Sequence, residues 1–260
     1  GYSYAASGSG RGVDLNNDVI AASGTVSMTG QHNTGATYAL SLSGSTSITA
    51  GTGVTLESLN NNTGTIALLS SGGINGGSGT VLMRAANYAF GGADRTITTT
   101  GVLTIQPDAD ENSFASSFDN QYLNPVNVTG LTLGKSSNAS AITLSRAISL
   151  SGPVSIYGGS IDVNANITAN SGNILLDADT GSTLNQSSTG ILLDDAITIE
   201  TVTSGNLTLI GRSGDTGSGF DGIDASSANT TTLRSAGNLT LQGYSYAASG
   251  SGRGVDLNND

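Results

Sequence analysis

The sequence predicts an all-β protein wound as a right-handed parallel β-helix, and three observations point there. Short runs with an apolar residue at every second position recur along the chain, as in Gly24-Thr-Val-Ser-Met28, Gly79-Thr-Val-Leu-Met83 and Gly205-Asn-Leu-Thr-Leu209. Alternation at period two marks a strand with one face buried. Gly24, Gly44 and Gly64 stand 20 residues apart, as do Gly152 and Gly172, and a unit of that size with two or three short strands fits one rung of a solenoid. The third observation is a duplication. Gly1 to Asp18 reads GYSYAASGSGRGVDLNND, and Gly243 to Asp260 reads the same 18 residues at an offset of 242.

That duplication sets the expected organisation. Residues 1–242 form one full tandem repeat of a continuous solenoid, and residues 243–260 open the next copy. Long periods of this kind belong to arrays and solenoids. Dividing the period by the glycine spacing gives about 12 rungs, which at a strand spacing of ~4.8 Å would rise roughly 58 Å.

Taken in order, the runs from Gly24 to Ile105 alternate cleanly, each led by a Gly or Asn suited to turns. Second strand-like pieces such as Ile161-Asp-Val163 and Ile197-Thr-Ile199 lie between later runs. A single hairpin dipeptide, Asn75-Gly76, allows one local antiparallel turn. The largest break is 106–129, QPDADENSFASSFDNQYLNPVNVT. There Phe114, Phe118 and Tyr122 fall at i, i+4 and i+8, one face of a helix. Asp110 or Asn112 would cap its start and Pro125 would end it. The expectation is a short helix laid over the solenoid wall, covering apolar side chains or touching a neighbouring filament or cell. Two longer intervals, after Gly205 and after Gly237, hold related loops: Gly217-Ser-Gly-Phe-Asp-Gly-Ile-Asp224 echoes Gly8-Ser-Gly-Arg-Gly-Val-Asp14.

Composition narrows the function. Charged residues make up 10% of the chain, the net charge is -11, and Cys is absent. The acidity argues against nucleic acid, which needs a basic face. No thiolate metal site or disulfide framework is available, and no apolar run reaches the roughly 18 residues of a membrane helix. Asp14, Asn16 and Asp18 place oxygens at the first, third and fifth positions of a calcium-loop opening, without the glycine and distal glutamate of an EF-hand. Asp108-Ala-Asp110, Asp177-Ala-Asp179 and Gly217-Ser-Gly-Phe-Asp221 are shorter versions. The competing reading is that these residues end strands in Asx turns. Calcium is the one cofactor weighed; no other is expected.

Catalysis is not expected. Asp194-Asp195 resembles the paired carboxylates of a glycosidase, but the only histidine, His32, is expected in a polar loop and the basic residues are scattered. No Gly-x-Ser-x-Gly or His-Glu-x-x-His motif occurs. The loops near Tyr2, Tyr4 and Arg11, with Phe114, Phe118 and Tyr122, are the candidates for a repeated receptor or glycan contact.

The phrases SGNILLDADTG, TGILLDDAITI, SGNLTLIG and AGNLTLQG resemble the passenger repeats of filamentous-haemagglutinin-like adhesins and autotransporters, and the long identical period looks closer to giant tandem-repeat bacterial surface proteins. The resemblance covers most of the chain except 106–129. It implies a secreted β-helix at the cell surface and brings no catalytic residues. The function expected is a structural repeat of a long extracellular filament or adhesin stalk, with adjacent copies stacked head-to-tail. The alternatives are a repeated adhesive module and, behind it, a polysaccharide-degrading β-helix.

Overall fold

A computed structural model describes residues 2–3, 10–32, 38–59, 64–69, 72–109, 111–178, 188–194, 196–215, 218–225, 230–246 and 249–257. The described residues are strand and turn throughout, every strand pair is parallel, and the fold is a parallel β-solenoid. The chain divides into two compact units, one of residues 1–116 and 122–132, the other of residues 117–121 and 133–260.

In the first unit the chain visits three walls in turn. The long wall holds Tyr2–Ser3, Thr25–His32, Gly53–Ser58, Val81–Arg84, Val102–Gln106 and Gly130–Leu133. The second wall holds Arg11–Asn16, Tyr38–Ser43, Thr65–Leu68 and Asn87–Phe90. The third holds Val19–Ala22, Ser47–Ala50, Ile74–Asn75, Arg95–Thr98 and Leu123–Val126. Alternation does the work foreseen for it. Val26, Val54, Val81 and Leu103 stack in register, with Met28, Leu56, Met83 and Ile105 beside them. The central members of both columns are fully buried. Backbone groups left open on one strand are met by the next turn, which is why the strands remain parallel and in register.

The second unit repeats the plan. Its long wall runs Val154–Gly158, Ile174–Ala178, Leu207–Arg212 and Leu239–Tyr244. Its second wall runs Phe118–Asp119, Ile142–Leu144, Ile161–Val163, Ile191–Leu193, Ile223–Asp224 and Val255–Asp256, and its third Ile148–Leu150, Ile167–Ser171, Thr198–Ser204 and Thr232–Arg234. Phe118, Ile142, Ile161, Ile191, Ile223 and Val255 form one inward column.

Most turns are longer than the glycine spacing implied, although Gly152 and Gly172 do lead strands one full turn apart. Val26, Val54, Val81 and Leu103 lie 28, 27 and 22 residues apart along their column. In the second unit Val154, Ile174, Leu207 and Leu239 lie 20, 33 and 32 apart. The reason is that Gly24 leads a long-wall strand, Gly44 a third-wall strand and Gly64 a second-wall strand. Their even spacing therefore measures less than a turn. Among the described residues ten strands belong to the long wall, from Tyr2–Ser3 to Leu239–Tyr244. Tyr2 and Tyr244 are equivalent positions of the duplicated segment, and the described strands make nine long-wall steps between them against the about twelve rungs expected.

Two local expectations fail. The segment 106–129 contains no helix among its described residues; Asp110 lies outside them. Its strand-forming ends are captured by open strand edges instead. The backbone N–H of Phe118 donates to Ala141 O at 3.0 Å, and Leu123–Val126 pairs with Arg95–Thr98. Ser, Asn and Asp in between favour turns over helix, so the fourfold spacing of the aromatics is fortuitous. Phe114 packs edge-on against Tyr88, with centroids 5.9 Å apart, while Phe118 enters the inward column. At Asn75-Gly76 there is no hairpin: the Asn75 side chain accepts from Gly77 N at 2.9 Å, an Asx turn leading into a parallel strand. His32, expected in a polar loop, instead ends the strand Thr25–His32 and is buried.

Candidate functional site

The most constructed locality is where the second copy of the 18-residue segment meets its echo. Ile223 stacks on Val255 and Asp224 on Asp256. Gly222 N donates to Arg253 O at 2.9 Å, Ile223 N to Gly254 O at 3.0 Å and Ala225 N to Asp256 O at 2.9 Å. Glycine is what lets the corner close. A Cβ on Gly222 would overlap Tyr244 N and lie 2.5 Å from Gly254 O, and one on Gly243 would overlap Gly254 O.

This approach brings carboxylate oxygens of Asp221, Asp224 and Asp256 within 4.8 Å of one another. Asp221 and Asp256 are buried and Asp224 half-buried. Burial raises the pKa of Asp221 most, a backbone hydrogen bond from Arg253 opposes it, and the charges of Asp224 and Asp256 push it further up. Arg253 meets part of this charge twice, through its guanidinium on Asp256 and its N–H on Asp221. Three carboxylates offering one oxygen each are half of what a hard cation such as calcium takes. The first copy folds the same pair: Arg11 Nη1 lies 2.7 Å from Asp14 Oδ2, with the guanidinium over the Tyr38 ring at 5.8 Å.

The residues singled out from sequence are dispersed. Asp14 is taken by Arg11, and Asp18 Oδ2 accepts from Asn16 N at 2.8 Å. The Asn16 side chain accepts from Asn17, and Asn17 in turn accepts from Ser45 N at 3.0 Å, closing the turn above. The structure thus uses these oxygens within and between corners. Phe114 and Phe118 are buried, and Tyr122 is half-buried. Tyr4 and the Tyr2 side chain lie outside the described residues, but their copies do not. Tyr244 and Tyr246 are 44% and 42% exposed and stack with centroids 6.4 Å apart. Arg212 lies over the Tyr244 ring at 5.6 Å and pairs with Asp177 at 3.1 Å. Of the shorter acidic motifs, Asp179, Asp195 and Gly217 fall outside the described residues, as Asp110 does.

The Asp221, Asp224 and Asp256 cluster was not read from sequence, although the echo of the 18-residue segment was its signal. No protein-family model, curated protein or solved structure matches the chain. No helix among the described residues is long and apolar enough to cross a membrane.

Proposed function

We propose that the chain is a structural repeat of a long extracellular filament or adhesin stalk, in which copies stack head-to-tail in the manner of filamentous-haemagglutinin-like bacterial surface proteins. One observation carries the reading. Both copies of the duplicated segment start on a long-wall strand: Tyr2 pairs with Gln31 on the turn after it, and Tyr244 with Arg212 on the turn before it. A repeat that closes on a whole number of turns joins to the next without a slip in register, and a one-residue slip would turn every inward side chain outward. The apolar column then continues from copy to copy, and each copy covers the open strand edges of the one before it. Length scales with copy number, and no reactive pocket is needed. Negative-stain images of chains carrying two, four and six repeats test this. Unbranched rods that lengthen by a constant increment support the reading, and beads or globules contradict it.

A second reading, a repeated adhesive module, draws on the exposed Tyr244 and Tyr246 stack beside Arg212. Flat aromatic surface next to a cation is suited to the apolar face and hydroxyls of a sugar. Tyr244 lies on the open edge strand Leu239–Tyr244, which the next copy would cover on the stalk reading, so the two readings compete for this surface.

A further inference from the structure

The first unit holds a charge where its column should be apolar. Arg95 opens the strand Arg95–Thr98 and shares its inward face with Ile97. It is 4% exposed, and among the described residues no hydrogen-bond partner meets its Nε or Nη1. Burial lowers its pKa, yet an arginine keeps its proton inside a protein. A buried cation with two of its three nitrogens unmet is costly for a core to contain.

The space for it is made by glycine. A Cβ on Gly72 would overlap Thr46 O, and one on Gly91 would come within 2.9 Å of Arg95 Nη2. Gly91 leaves room for the guanidinium, and Arg95 lines a pocket together with Leu42, Leu68, Ile74, Ile97, Thr46 and Thr96. The pocket spans ≈ 250 Å³ counting its open mouth, of which ≈ 10 Å³ admits the centre of a water-sized body. That is about one such body.

We propose that this pocket binds a single small monovalent anion, of halide size, against the Arg95 guanidinium. A water could accept one hydrogen bond there but would leave the charge unmatched in an apolar surround. A halide accepts from more than one N–H and neutralises the charge. Tetrahedral oxyanions such as sulfate or phosphate exceed the room. The site needs no neighbouring repeat and is independent of the stalk reading.

The test compares the full chain with R95M at constant ionic strength while gluconate is replaced by chloride. The melting temperature of the natural chain should rise along a saturating curve, as ligand linkage requires, and that of R95M should stay flat. Methionine fills the same volume without charge, so R95M should fold at least as well as the natural chain in gluconate. Crystals of the natural chain grown in bromide give a second readout that needs no variant: an anomalous peak beside Arg95. The proposal is overturned if R95M follows the same chloride curve as the natural chain. It is equally overturned if the natural chain ignores chloride, or if the bromide crystals show no peak there.

Discussion

The corner at Gly222 offers the sharpest test of how the walls meet. A Cβ built on Gly222 overlaps Tyr244 N and lies 2.5 Å from Gly254 O and 2.8 Å from Gly211 O. All three are backbone atoms held in the wall ladders, and Gly222 N itself donates to Arg253 O, so none can swing aside as a side chain would. Gly222→Ala must therefore push two walls apart over a whole turn. Overpacking of this kind costs about 3 kcal/mol, the upper part of the usual range. In a chain of this size that lowers Tm by roughly 6–12 °C. Gly24→Ala is the control, since nothing lies within 4 Å of a Cβ there, and it should change stability by no more than about 0.5 kcal/mol. Scanning calorimetry on both variants decides the matter. If Gly222→Ala melts with the natural chain, or Gly24→Ala falls as far, the close corner is not what makes glycine necessary.

Three further outcomes are expected. Leu209 is fully buried between Leu176 and Leu241 in its column, so Leu209→Ala should lose about 2–5 kcal/mol in urea unfolding, and a loss under about 1 kcal/mol would show a loose column. Asp162, Asp177 and Asp221 all have pKa values raised, chiefly by burial, from 3.8. A raised carboxyl favours the folded state fully below its unfolded value and loses that contribution as pH rises through the folded one. Stability should thus fall from the acid side of that window toward neutral, and Asp221→Asn should fall less steeply; an unchanged pH slope in the variant would contradict the assignment. Replacing Tyr2, Tyr4, Tyr244 and Tyr246 together by Ser should abolish any glycan-array binding while leaving the melt nearly unchanged, and binding that survives would remove the adhesive reading.

The sequence made the walls legible but not their size. Alternation in runs such as Gly205-Asn-Leu-Thr-Leu209 depends only on one buried face, and every such run is a strand in the structure. The spacing of Gly24, Gly44 and Gly64 misled because a leading glycine does not say which of three walls follows it. At Phe114, Phe118 and Tyr122 the pattern satisfied a helix face, but open strand edges on neighbouring turns competed for the same backbone and prevailed. The Asp221, Asp224 and Asp256 cluster joins residues of successive turns, so it becomes visible only once Asp224 is known to stack on Asp256. Arg95 could have been found: Arg95-Thr-Ile-Thr puts it on the same face as Ile97, which period-two logic reads as inward. From the sequence alone it counted only among the scattered basic residues.

Oriented fibres of a many-repeat chain, examined by X-ray diffraction, test the central claim most directly. On the tandem-repeat reading, the nine long-wall steps of the described strands predict a strand spacing of ~4.8 Å along the fibre axis and an axial period of about 43 Å. A period near 58 Å would mean twelve turns, and a ~4.8 Å spacing across the axis would mean that the strands do not wind around it at all.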